Sequence, residues 1–431
     1  MKTMPSALLC LLLLIATILA IPGYGQNIPH NSGYNWPCWR GQNGDGISKE
    51  TMWNPRALAG GLKIAWTADI GTGYSNIVIH SDRVYAMGNT GKYGEKLTFS
   101  CLAAGTGKMM WRRYYDAEFL DPMSTPTTDG ERIYGLAADG KLRCLWAANG
   151  KQLWEKDLRG DFDARSTTHG WATSPVIEGD LLLLNANTAA IALDKKTGKL
   201  KWSVADKVPP GSWGSYATAM VVDLQGMRCA VFLGPSTLSA VEVETGRKLW
   251  SYLHKDRQHA ISDPLAFDNQ VFFQLIDSCA LLQSDEVEPH VLWNTASLCN
   301  ASMPTPVLVD GYLYGSHWPR EYYVMDKDWT TLRRLDLPFR CVKWKTGEVM
   351  WEQSMKDVSL TAANGKLLML EVTGTLHLAE ASPSSYQELS SADVLMGASR
   401  PRIFAVPPVL CNGRIYCRNY AGDLICIDMS K

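Results

Sequence analysis

Glu244–Thr245–Gly246–Arg247–Lys248–Leu249–Trp250 decides how this chain is read, because its pattern recurs. Gly107–Trp111, Gly150–Trp154, Gly198–Trp202 and Gly347–Trp351 repeat the Gly-x-x-x-Trp spacing, each with Thr or Asn before the Gly. Two weaker copies, Ile64–Ala65–Trp66 and Val291–Leu292–Trp293, keep only the tryptophan. The markers at 66, 111, 154, 202, 250, 293 and 351 lie 45, 43, 48, 48, 43 and 58 residues apart. A period in the forties built from strand-like segments points to a propeller or a related array.

Each period carries the same signals. A short apolar strand follows Ser or Thr and often Pro, as in Ser174–Pro175–Val176–Ile177 and Thr305–Pro306–Val307–Leu308. Turns such as Asp310–Gly311 and Asn412–Gly413 lead to a second strand, a third strand follows, and the Thr-Gly or Asn-Gly turn opens a fourth that carries Trp. Gly and Asn suit turns that need positive φ. Four antiparallel strands per unit make a propeller blade.

Six units end at Trp111, Trp154, Trp202, Trp250, Trp293 and Trp351. A seventh, from Leu360, lacks the tryptophan; an eighth, from Pro407, has only three strands before Lys431. The strand carrying Trp66 supplies the missing one. The expected fold is therefore all-β: an eight-bladed β-propeller of four-stranded antiparallel blades, closed by pairing of an N-terminal strand with the last blade. The tryptophans are expected to fill gaps between blades, burying about 150–250 Å² each. Six residues before the turn Gly stand Cys101, Cys144, Ala192, Ala240 and Cys341, and Cys426 fits the same place, so this position reads as a tight packing slot.

The remaining chain divides into a signal peptide at 1–25, a lead at 26–60 that packs on the body, and the propeller at 61–431. Lys2 followed by the apolar Ala7–Ala20 has the layout of a secretory signal. Its roughly 14 apolar residues are too few to span a bilayer, so no transmembrane segment is expected after cleavage. The protein is expected to be exported to the periplasm or outer cell envelope, and to be monomeric. With 42 basic and 43 acidic residues there is no field to attract nucleic acid. There is no C-x-x-C, G-x-S-x-G, H-E-x-x-H or P-loop motif, and no metal site is indicated. Blade six is the longest, with its excess at Ser316–Cys341.

The turn-and-Trp unit, with its preceding strand as in Ala192–Leu193–Asp194–Lys195–Lys196–Thr197–Gly198, resembles the pyrroloquinoline-quinone (PQQ)-type propeller repeat. The opening Trp36–Pro37–Cys38–Trp39–Arg40–Gly41 with Asp45–Gly46 is similar to that of exported PQQ-binding-like propellers of planctomycete-type bacteria. The repeat is shared with the propeller subunit of the outer-membrane β-barrel assembly machine (BamB-like) and with quinoprotein alcohol dehydrogenases. The first likeness implies a binding or scaffolding module for a protein partner or a small polar ligand. The second implies a dehydrogenase of alcohols or sugars using PQQ with calcium in the central funnel. Dehydrogenases of that type generally hold the quinone against adjacent cysteines, and this chain has no Cys-Cys dipeptide and no C-x-x-C-H haem motif. The module is the primary expectation, with no cofactor assigned.

Segments joining one blade's tryptophan to the next blade's first strand are expected to surround one mouth of the channel. They hold Tyr74, Arg165, His169, Trp171, Trp213, Tyr216 and His259 as candidate funnel residues, with His254, Arg257 and Asp263 nearby. Aromatic, imidazole and guanidinium groups converging on a funnel suit a polar ligand or a peptide.

Overall fold

The computed structural model describes residues 34–91, 94–117, 121–166, 169–205, 214–254, 260–285, 288–298, 304–318, 336–395 and 406–430. Its strands form eight sheets, each one blade of four antiparallel strands, with Ile47–Ser48 added in parallel to the sheet of blade seven. Blade four, which contains the repeat quoted first, consists of Met220–Leu224, Met227–Leu233, Thr237–Glu242 and Lys248–Leu253. In each blade the first strand is innermost and the fourth outermost. The inner strand of blade seven, Val358–Ala363, is buried at every residue, whereas the outer strand of blade four is exposed or part-exposed at every residue but Trp250. Blade eight closes the ring as expected: Ile64–Asp69 pairs antiparallel with Asp423–Asp428, setting Trp66 opposite Cys426.

The repeat is explained by the junctions between blades. Each turn glycine has φ between 68° and 71° at Gly107, Gly150, Gly198, Gly246 and Gly347, the left-handed region that favours Gly. Each also lies on the marker tryptophan of the preceding blade. A Cβ added at Gly107 would stand 2.5 Å from Trp66, and one at Gly246 would stand 2.7 Å from Trp202. The indole N–H then crosses the junction: Trp66 donates to Ala104 O at 2.9 Å, Trp111 to Ala147 O at 3.0 Å, Trp202 to Val243 O at 2.8 Å and Trp293 to Trp344 O at 2.7 Å. Trp154, Trp250 and Trp351 do the same to Lys195 O, Ser284 Oγ and Ser382 O. The tryptophans are packing groups that also satisfy a backbone or hydroxyl acceptor.

The Cys/Ala slot lies opposite these tryptophans. Cys101 pairs in register with Trp111, Cys144 with Trp154, Ala192 with Trp202 and Cys341 with Trp351. All four slot residues are fully buried. Cys101, Cys144, Cys341 and Cys426 are free thiols, and burial pushes the first two up to about 12.

Blade seven departs from the pattern. Ser390 occupies the tryptophan's place opposite Leu378, and its hydroxyl donates to Pro55 O at 2.8 Å. Trp53 and Leu58 of the lead fill the gap between blades seven and eight, packed with Leu376, Leu378, Ile415 and Ile427. A tryptophan distant in sequence thus replaces the one the blade has lost.

Inside the ring, a belt of hydrogen bonds links the starts of successive inner strands. Asn76 N donates to Thr125 Oγ1 at 2.9 Å, Thr125 N to Ser174 Oγ at 3.0 Å and Ser174 N to Thr218 Oγ1 at 3.0 Å. Thr218 N donates to Asp263 Oδ1 at 2.7 Å, and Asp263 N to Thr305 Oγ1 at 3.0 Å.

The lead runs through this ring. Trp36 exchanges two backbone hydrogen bonds with Ile79 of the blade-one inner strand, both 2.8 Å. Pro37 O accepts from Thr128 N of blade two at 2.9 Å. The segment turns back at Gly41, whose added Cβ would stand 2.9 Å from the Trp36 ring. It then descends along blade seven, where Ile47–Ser48 lies parallel beside Ala362–Ala363. Trp36 and Arg40 are almost wholly buried, while Gln42 and Asn43 at the turn are exposed.

Candidate binding face

Because inner strands start at one end of the channel and outer strands finish there, all the links between blades open on that face. Connections between second and third strands open there too, including that of blade six after Tyr312–Ser316. Most of its excess residues, 319–335, lie outside the described residues.

Three candidate residues come together on blades three and four. The His169 and Tyr216 ring centroids are 6.1 Å apart. Asn187 accepts from Ser215 N at 2.9 Å and donates to Arg165 O at 3.0 Å. Arg165 N donates to Thr188 Oγ1 at 3.2 Å, and Tyr216 N to Ala260 O at 2.8 Å. The loops are therefore fixed to one another, with the Arg165 and His169 side chains exposed and Tyr216 half-buried. Trp213, His259 and Arg257 fall outside the described residues.

The other candidates are placed differently. Trp171 is buried, packed on Gly140 with the Arg159 guanidinium 5.2 Å from its ring centroid, so it is core rather than a ligand contact. His254 is buried too, with Nε2 3.1 Å from Gly234 O. Tyr74 lies across the mouth at the junction of blades eight and one, its ring 4.9 Å from that of Tyr420. The hydroxyl of Tyr420 donates to Asp121, which also accepts from Thr72 at 3.0 Å and Asn89 at 3.3 Å.

Asp263 belongs to the belt and not to an open funnel. It accepts from the Trp39 indole at 2.7 Å as well as from Thr218 N, and faces Arg40 at 4.0 Å. Burial raises its pKa, opposed by Arg40, Trp39 and the Thr218 amide. Arg40 donates to Thr305 O at 2.9 Å, Pro306 O at 2.7 Å and Asp45 O at 2.9 Å. Trp39 and Arg40 thus occupy the axis at belt level. Another buried cation, Arg418, donates to the carbonyls of Ser75, Met87 and Gly71, and burial lowers its pKa to about 10.

The anionic quinone would need cationic or amide donors around a vacant axis, and calcium a cluster of oxygen ligands. The described residues do not fit that group: the axis is filled by the lead, and Arg40 and Arg418 are engaged by carbonyls of their own chain. No set of three or more His, Cys, Asp or Glu among the described residues is arranged to hold a metal ion. Two recesses, one lined by Asn185, Phe232 and Lys248 and the other by Asn89 and Asp139, hold about 20 and 10 Å³, room for a water rather than an organic ligand.

The geometry defines an eight-bladed propeller of PQQ-type repeats. The chain belongs to the family described as outer membrane protein assembly factor BamB, whose model matches residues 57–205 and 98–331. Among solved structures it is similar to BamB from Moraxella catarrhalis, with 15% identity over 85% of this chain and 97% of that one and a TM-score of 0.60. It is also similar to the quinohemoprotein alcohol dehydrogenase from Comamonas testosteroni (12% identity, 92% of this chain and 81% of that one, TM-score 0.60). A europium-containing methanol dehydrogenase matches at 12% identity over 89% of each chain, with a TM-score of 0.64. At these identities the structures share the fold. No curated protein sequence matches the chain. Among the described residues no helix is long and apolar enough to cross a membrane.

Proposed function

We propose that this protein is an exported scaffold of the cell envelope that binds a protein partner on the face bearing the blade-to-blade links. The observation that carries this reading is the filled axis: with Trp39 and Arg40 inside the ring, the accessible chemistry of this face lies on its rim. There, interlocked loops carry the exposed Arg165 and set His169 beside Tyr216, a basic and aromatic surface suited to an extended acidic or aromatic segment. Membership of a family described as an outer membrane assembly factor supports an envelope location. The apolar run Ala7–Ala20 after Lys2 supports export.

Affinity capture from envelope extracts tests this, comparing the native chain with the triple variant Arg165→Ala, His169→Ala, Tyr216→Ala. The expected result is a specific partner retained by the first and lost by the second at unchanged melting temperature. A partner retained equally by both removes the rim from the proposal. Titration with PQQ and calcium, followed by indole fluorescence and dye-linked alcohol oxidation, tests the dehydrogenase alternative. A melting shift with turnover would replace the scaffold reading.

A further inference from the structure

The ring is complete without residues 34–48. Every blade has four strands, and the last is closed by Ile64–Asp69. Residues 34–48 instead add to the inner edges of strands already paired within their blades. They join blade one through Ile79 N, blade two through Thr128 N and blade seven through Ala362 N, which donates to Gly46 O at 2.9 Å. Their turn carries two side chains with dedicated acceptors, Trp39 on Asp263 and Arg40 on the carbonyls of Thr305 and Pro306.

We propose that the inner wall of the ring is a binding site for a peptide hairpin, filled here by the chain's own segment 34–50, which docks and departs as a unit without unfolding the blades. Recognition has three parts. Inner-strand edges at Ile79 and Ala362 pair with backbone, as in strand addition to a sheet edge. Asp263 and the belt carbonyls take a tryptophan N–H and a guanidinium side by side. Close packing of Gly41 on Trp36 admits only a turn without a side chain there. On departure, the freed amides and carbonyls face an opened channel, where water takes their hydrogen bonds. Blade interiors keep their own ladders. A partner segment able to compete would carry the same chemistry: two tryptophans, an arginine and a glycine within a tight hairpin. This inference bears on the proposed envelope role, which takes the axis as filled, but the two are tested apart: exchange reads the axis and partner capture reads the rim, so each can fail alone.

Hydrogen exchange on the full chain tests it. The amides of Trp36, Ile79, Thr128 and Ala362 are expected to exchange together, ahead of third-strand amides such as those within Thr237–Glu242. Arg40→Gln should speed this set by about tenfold or more, the loss of roughly 1.4 kcal/mol, and leave the third strands unchanged. Trp39→Phe, which keeps an aromatic ring but removes the bond to Asp263, should act in the same direction by less. A synthetic peptide of residues 34–50 added to the Arg40→Gln chain should slow exchange at Ile79, Thr128 and Ala362. The proposal is overturned if the set exchanges at the third-strand rate in the native chain, or if Arg40→Gln speeds all amides alike. It is equally overturned if the peptide protects none of the three ring amides.

Discussion

Replacing Gly246 by Ala isolates the contact that sets the repeat. Two effects add at this position. At φ 71° a residue with a Cβ costs about 1–2 kcal/mol from backbone sterics alone. The new methyl would stand 2.7 Å from the Trp202 ring, well inside ordinary contact, and relieving that overlap costs about 1–3 kcal/mol more. The expected loss is therefore about 2–5 kcal/mol. Gly226 in the same blade is the control, with φ 78° and nothing within 4 Å of an added Cβ. Gly226→Ala should lose only the backbone contribution, about 1–2 kcal/mol. Urea titration followed by indole fluorescence gives both values. Adding Trp202→Ala to Gly246→Ala should then cost less than the two single changes summed, because the overlap is gone. Equal losses for Gly226→Ala and Gly246→Ala, within about 0.5 kcal/mol, would refute the claim that the junction requires glycine for contact as well as conformation.

Trp53→Ala should destabilise the chain by about 3–5 kcal/mol, as for a core indole, with hydrogen exchange in blades seven and eight rising first. Asp263→Ala, which removes the carboxylate that the buried Arg40 faces, should cost about 3–5 kcal/mol; Arg40→Met with Asp263→Thr should recover most of it, read by urea titration. His377 lies 2.7 Å from Glu388 and 3.6 Å from Glu371. Burial opposes its charge, but the two carboxylates prevail and raise its pKa, while His377 and neighbouring hydroxyls outweigh burial to lower both glutamates. The histidine's contribution is fully present below its ordinary pKa of about 6.5 and is lost as pH rises through the raised value. The glutamates' contribution is present above about 4.3 and lost as pH falls through the lowered values. The stability difference between the native chain and His377→Gln should thus be greatest between those limits and shrink as pH rises through the raised value in urea titrations.

The ring was legible because its determinant is local: Gly-x-x-x-Trp places a left-handed turn and an indole at a fixed distance along one hairpin, and repetition does the rest. Closure by the Trp66 strand followed from a count of strands. What could not be read depends on contacts between distant segments. Nothing near Ser390 announces that Trp53 will fill its junction. The aromatic opening reads as packing on the body, but neither composition nor spacing directs Trp36 and Arg40 into the channel. Position in the repeat placed Trp171 and Asp263 at the mouth, yet one is core and the other belongs to the belt. A signal for Asp263 was present: it precedes Pro264 as Thr125, Ser174 and Thr305 precede Pro126, Pro175 and Pro306. An acidic residue in a slot of hydroxyls marks a place where a cation arrives from elsewhere.

The tryptophan junctions also have a direction. Every blade but the seventh offers an indole on one side and most offer a turn glycine on the other, so blades join head to tail like identical links. A duplicated or deleted unit would find matching surfaces at such joints. Between blades seven and eight the chain's own beginning is wedged into the joint, so a unit inserted there would meet Pro55 and Trp53 instead of a neighbour. Growth of the ring by recombination is therefore open around most of its circumference and barred at one seam.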